Sequence, residues 1–180
     1  TQPHGVDLTH MLVGSEGTLA VTLEATLQLT PLPDCTATAL LHFRSLESLG
    51  AGVLRALQHG PSALEALDRS FLDLVRLAGS PEARSLPADT EAVLIAELEA
   101  GDEAEATERL ARFGADLVAP DLAAGILSGL DPAVQAQLWE IRKTASPILT
   151  ARQKDRRSTR FIEDACVPTP RFPEFLREIR

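Results

Sequence analysis

Along residues 19–29 the apolar positions Val21, Leu23, Ala25, Leu27 and Leu29 alternate with Thr22, Glu24, Thr26 and Gln28, the period-two pattern of a strand with one buried face. Met11, Leu12 and Val13 form a shorter apolar run, and the two runs flank Gly14-Ser15-Glu16-Gly17-Thr18. The pattern predicts two short strands around a Gly-rich turn. Pro31 and Pro33 end the second strand, because proline lacks the ladder donor and restricts the residue before it. A domain boundary is placed there, dividing the chain into 1–33 and 34–180.

Beyond the boundary the pattern predicts a strand over 36–43, then a helix over 46–58 with Ser45 as its N-cap and Gly60-Pro61 closing it. Residues 62–67 are short and apolar and lead through Asp68 into a helix over 69–78. A loop is expected over 79–89, a strand over 92–98, and a helix capped by Asp102 running to Phe113 with an acidic outer face. Asp131 followed by Pro132 is a helix start, since proline at the first helical position loses no hydrogen bond. That helix carries Trp139 and Arg142 and is expected to bend or end near Pro147. A basic loop, a strand over 161–167 and a helix from Pro173 complete the reading. Mixed strands and helices without a repeated Gly-rich turn favour an α+β fold, an antiparallel sheet flanked by helices, over a doubly wound one.

Composition narrows the function classes. Lys and Arg number 17 against 26 Asp and Glu, a net charge of -9 that argues against a nucleic-acid surface, since phosphate binding needs excess positive charge. No apolar run approaches the ~20 residues of a membrane-spanning helix. No signal or transit pattern opens the chain, and Cys35 and Cys166 stand far apart outside any C-x-x-C, so a reducing, cytoplasmic location is expected. The four histidines, His4, His10, His42 and His59, show no metal-ligand spacing. The chain starts without Met and stops inside an apolar-periodic segment, so an internal piece of a longer protein is expected.

Three segments carry candidate chemistry. In Gly14-Ser15-Glu16-Gly17-Thr18, two glycines paired with Ser and Thr let backbone N–H groups and hydroxyls approach a pyrophosphate; a plain turn uses the same residues. On helical spacing Arg142 shares one side with Leu138, Ala145 and Ser146, at the edge of an apolar face, where an Arg is commonly ion-paired or snorkelling. Residues 152–160 hold five basic residues against one acidic, a solvated loop or an anion-facing one. Glu163 and Asp164, adjacent on the expected strand, point to opposite faces and form no facing carboxylate pair.

The run from Asp7 through Met11-Leu12-Val13-Gly14-Ser15-Glu16-Gly17-Thr18-Leu19-Ala20-Val21 to Pro31-Leu32-Pro33 resembles the end of the FAD-binding domain of the FAD-linked oxidases. These belong to the vanillyl-alcohol oxidase and p-cresol methylhydroxylase superfamily, with glycolate oxidase, D-lactate dehydrogenase and D-2-hydroxyglutarate dehydrogenase among them. The resemblance continues through Gly60-Pro61-Ser62-Ala63-Leu64-Glu65-Ala66-Leu67-Asp68, Leu138-Trp139-Glu140-Ile141-Arg142-Lys143 and Phe161-Ile162-Glu163-Asp164 to Pro168.

The resemblance implies a ferredoxin-like capping domain preceded by a short β remnant of the FAD-binding domain, and that Gly14, Ser15, Glu16, Gly17, Thr18, Ala20 and Val21 lie along FAD, mainly through backbone groups. Many family members have Gly where this chain has Ala20, which a backbone N–H contact tolerates. It implies that Arg142 grips a substrate carboxylate, with Ser146 one turn later and Arg160 as a second cation. The Lys that some members place ahead of the matching Asp164 is Ile162 here. The implied activity is oxidation of a D-2-hydroxy acid of lactate, glycolate or 2-hydroxyglutarate type, by hydride transfer to flavin with a downstream His taking the proton. That His motif and the phosphate-cradling loop upstream fall outside these residues in the family, so the 180-residue chain alone is expected to be inactive. Implied partners are an acceptor protein, a quinone or an iron–sulfur domain, the last because Phe161-Ile162-Glu163-Asp164 resembles a branch often fused to one. A non-catalytic ligand-binding or dimerisation module on the same sheet is the alternative.

Overall fold

The computed structural model describes residues 7–118, 122–152 and 165–179, with the backbone alone described over 145–152. The contacts divide the chain into two units, Thr1–Leu32 and Pro33–Arg180.

The second unit is built on four strands: β1 (Cys35–Phe43), β2 (Ala63–Asp68), β3 (Ala92–Ala100) and β4 (Gly125–Gly129), in the order β2-β3-β1-β4. All neighbours are antiparallel, with Leu40 opposite both Ile95 and Leu127, and Glu65 opposite Ile95. This is the ferredoxin-like order, with helices between β1 and β2 and between β3 and β4.

Helices cover both faces. On one, α2 (Leu46–Ala56), α5 (Glu103–Val118) and α7 (Phe172–Glu178) enclose Ala39, Leu41, Phe43, Leu94, Ala96 and Leu98, with Phe113 and Leu117 as the buried anchors of α5. On the other, α3 (Arg69–Leu77), α4 (Pro81–Ser85) and α6 (Pro132–Arg152) pack over Leu40, Leu67, Val93 and Ile95. Because both faces are covered, β1 and β3 are buried almost continuously along their length.

The helix boundaries follow local chemistry. Ser45 Oγ accepts from Ser48 N at 3.0 Å and Asp68 Oδ1 from Phe71 N at 3.0 Å, each satisfying an orphan amide of a first turn. Gly60, at φ 60°, supplies the left-handed residue after the 3-10 turn that ends α2. At Gly52 a Cβ would stand 2.6 Å from the Phe43 ring, so α2 approaches β1 only through a glycine.

Several expectations change. The loop expected over 79–89 contains α4, started by Ser80 Oγ accepting from Ala83 N at 3.3 Å and by Pro81 at N1. α5 continues past Phe113 to Val118, and α6 continues through Pro147 to Arg152. β4 forms from a Gly-bounded segment with no strand signature, because β1 offers it a ladder: Gly125 lies against the His42 ring and Gly129 against Val134. Of the strand expected over 161–167, residues 161–164 lie outside the described residues and 165–167 have no regular structure.

In the first unit, α1 (Leu8–Leu12) replaces the expected strand at 11–13, and residues 20–32 have no strand assignment. Asp7 decides the helix: Oδ1 accepts from Thr9 N at 3.0 Å and His10 N at 3.1 Å, while Oδ2 meets His10 Nδ1 at 2.7 Å. Leu23 and Leu29 are 94% and 86% exposed, so the alternation meets no ladder partner among the described residues.

Candidate functional site

In the turn after α1, three of four consecutive residues have left-handed backbone: Gly14 at φ 77°, Glu16 at φ 48° and Gly17 at φ 74°. Ser15 N donates to Leu12 O at 3.2 Å, Thr18 N to Ser15 O at 2.8 Å, and Thr18 Oγ1 to the same carbonyl at 2.6 Å. Ser15 is half-buried and the other turn residues are exposed. A Cβ added at Gly14 or Gly17 would meet nothing within 4 Å, so backbone is bare to solvent at both glycines. Ala20 and Val21 follow, exposed and without regular structure.

The other candidate lies on α6, two of whose contacts fix its setting on the sheet. At its start Gln135 reaches into β1: Oε1 accepts from Thr36 Oγ1 and Thr38 Oγ1, both at 3.0 Å, and Nε2 donates to Thr36 O at 2.9 Å and Leu130 O at 2.6 Å. Leu138 and Ile141 then bury against Leu40, Leu67 and Ile95. Gln135, Leu138 and Arg142, spaced i, i+3 and i+7, share one stripe of the helix. Arg142 therefore belongs to the sheet-facing stripe, and its Nε donates to Glu65 Oε2 at 2.5 Å. Glu65 sits on β2, on the face that buries Leu67, and the two charged side chains are 41% and 44% exposed. The sequence pattern offered an ion-paired Arg; the fold supplies its carboxylate from 77 residues away.

The α6 backbone sets Ser146 one turn after Arg142. The side chain of Ser146 and the whole of Arg160, with Glu163 and Asp164, lie outside what is described. Lys143 is exposed beside Arg142.

A second charged cluster serves the fold. Asp116 on α5 accepts from Arg55 Nε and Nη2, both at 2.7 Å, and meets His59 Nε2 at 2.9 Å. The Arg55 guanidinium, and then His59, hold its carboxyl below the ordinary carboxylate range. His42, on the α6 side of β1, is pushed down by burial. Glu65 and Gln135 escape sequence reading because their partners are distant in the chain.

Comparison with known proteins gives the family. Residues 32–180 match the family model of the FAD linked oxidases, C-terminal domain. The chain is 30% identical over 177 residues to glycolate oxidase subunit GlcD of Escherichia coli, covering 97% of this chain and 34% of that protein. It is 32% identical over 178 residues to D-2-hydroxyglutarate dehydrogenase of Xanthomonas citri pv. viticola, covering 97% of this chain and 35% of the relative. It is 28% identical over 179 residues to D-lactate dehydrogenase of Anaerostipes hadrus, covering 96% and 36%. The chain thus spans about a third of the length of these relatives. The expected iron–sulfur domain finds no support in these matches. Among the described residues no helix is long and apolar enough to cross a membrane. The α+β sheet with helices on both faces and the match over 32–180 together make this chain a member of the FAD-linked oxidase family, carrying its C-terminal domain.

Proposed function

We propose that an intact protein containing these residues is an FAD-dependent dehydrogenase of a D-2-hydroxy acid of lactate, glycolate or 2-hydroxyglutarate type. Residues 1–33 form the end of its FAD-binding domain and 34–180 its substrate-capping domain. When bound, FAD supplies the acceptor for the hydride that leaves the substrate Cα. The family match and the enzymes named among the relatives support this class.

This chain contributes binding and orientation. Gly14, Ser15, Glu16, Gly17, Thr18, Ala20 and Val21 hold the phosphate end of FAD, using backbone that the left-handed glycines leave unobstructed. Arg142, with Ser146 and Arg160 assisting, takes the substrate carboxylate, for which a planar guanidinium fork is shaped. The observation that carries the reading is that Arg142, on the sheet-facing stripe of α6, is held by Glu65 through Nε and keeps its side chain 44% exposed. The partner that would take electrons from bound FAD is an acceptor protein or a quinone. A reducing, cytoplasmic setting suits Cys35 and Cys166, both free thiols.

The test is to purify the full-length protein and its Arg142→Ala variant. The reading expects bound FAD in both and a KM for the D-2-hydroxy acid raised at least about tenfold in the variant, the cost of one charge-assisted carboxylate contact. A flavin-free wild type, or unchanged kinetics in the variant, overturns it.

A further inference from the structure

We propose that Glu65 is a positioning residue for Arg142: it holds the guanidinium by its Nε edge so that the edge formed by the two Nη groups is presented to the substrate carboxylate. This inference rests on the reading of Arg142 as the carboxylate anchor.

One layer of the sheet, read across the α6-facing side, consists of Glu65, Ile95, Leu40 and Leu127. Glu65 is the single charged residue in that layer. Above it lie Leu138 and Ile141 of α6, packed with Leu40, Leu67 and Ile95. Most positions on this helix-covered face are apolar, and Glu65, 41% exposed on the edge strand, carries its carboxylate at the rim of the layer. Arg142 is its partner at 2.5 Å.

Stability gives a weak reason for the pair, since two side chains as exposed as these gain little from pairing in water. Geometry gives a stronger one. A guanidinium carries five N–H donors on two usable edges, and a carboxylate on Nε leaves the end-on pair of Nη groups as a separate fork. An unheld Arg side chain samples many rotamers, and ordering it at the moment of binding costs affinity. Glu65 settles that cost in the fold. The pair also joins β2 to α6 about two turns beyond the Gln135 clamp on β1, so helix and guanidinium are fixed together. The negative charge of Glu65 weakens the pull of Arg142 on a second carboxylate, and the gain in orientation outweighs that repulsion. Substitution separates the two effects.

The experiment uses the full-length, flavin-loaded protein. It compares wild type with Glu65→Ala, Glu65→Gln and Arg142→Ala. The assays are turnover of whichever of D-lactate, glycolate and D-2-hydroxyglutarate is oxidised fastest, and calorimetric titration with oxalate, a carboxylate with no Cα hydrogen. Glu65→Ala is expected to raise KM and the oxalate Kd about tenfold, with kcat changed by less than about threefold and the thermal midpoint and flavin content unchanged. Glu65→Gln, which still accepts the Nε–H, is expected to stay within about twofold of wild type. Kinetics of Glu65→Ala within about twofold of wild type, or a tighter oxalate Kd, overturn the inference, the second by making Glu65 a competitor. A Gln variant as impaired as the Ala variant also overturns it. If Arg142→Ala is silent as well, the anchor reading falls; if Arg142→Ala is impaired and Glu65→Ala is silent, only the role of Glu65 falls.

Discussion

Residues 19–29 and strand β1 both present apolar residues at strand spacing, yet one is exposed chain and the other the buried centre of a sheet. Val21, Leu23, Leu27 and Leu29 are between 77% and 94% exposed, while Ala39, Leu40, Leu41 and Phe43 are wholly buried. The difference lies in the neighbours. β1 has β3 on one side, β4 on the other and helices on both faces, whereas the first unit contains no strand among its described residues. Apolar alternation states which face needs covering; whether it is covered depends on what the chain brings to it.

That contrast can be broken or sharpened by substitution in the 180-residue chain. The largest effect is expected in the α5 layer, where Phe113→Ala opens a cavity beneath fully buried neighbours and should cost about 3–5 kcal/mol in denaturant unfolding. Next is Gln135→Ala, which strips the partner from the Thr38 hydroxyl, 0% exposed, and should cost about 1–3 kcal/mol in the same measurement.

A smaller effect belongs to Asp116, and its sign follows from its lowered pKa. A carboxylate held below its ordinary value of 3.8 stabilises the fold above that value and loses the contribution as pH falls through the lower folded value. The gap in thermal midpoint between wild type and Asp116→Asn should close as pH falls below about 4. The smallest effect is expected in the first unit, where the double change Leu23→Ser and Leu27→Ser should alter stability by less than about 0.5 kcal/mol. A cost near that of Phe113→Ala would show that the first unit is packed and would break the comparison.

The sequence was legible where a local signal and the tertiary demand agree. Ser45, Asp68 and Asp131 mark helix starts by chemistry that needs no distant partner, and β1 and β3 are apolar enough to announce themselves. β4 was hidden because Gly125, Ser128 and Gly129 have low strand propensity, and the strand exists only because β1 pairs with it. β2 was hidden by Ala and Glu for the same reason, with β3 as the partner that overrides propensity. At the start of the chain the local signal was strong but met no ladder partner among the described residues, so no strand forms over the described residues there.

The candidate site divides along the same line. Arg142 was legible from its spacing to Leu138, one turn earlier on α6. Glu65 was not, because its relation to Arg142 is created by pairing β2 with β3 and laying α6 across them. The turn from Gly14 to Gly17 was legible from its glycines, while Glu16 at φ 48° was not suggested by its residue type.

The central claim, that Arg142 is the carboxylate anchor of a flavin-dependent D-2-hydroxy-acid dehydrogenase, is tested most directly by stopped flow. Full-length wild type and Arg142→Ala are mixed anaerobically with the D-2-hydroxy acid, and bleaching of the flavin absorbance is followed against acid concentration. Bleaching is expected in wild type, with a half-saturating concentration at least about tenfold higher in the variant. Equal half-saturation in the two proteins, or a wild-type flavin that no D-2-hydroxy acid bleaches, would contradict it.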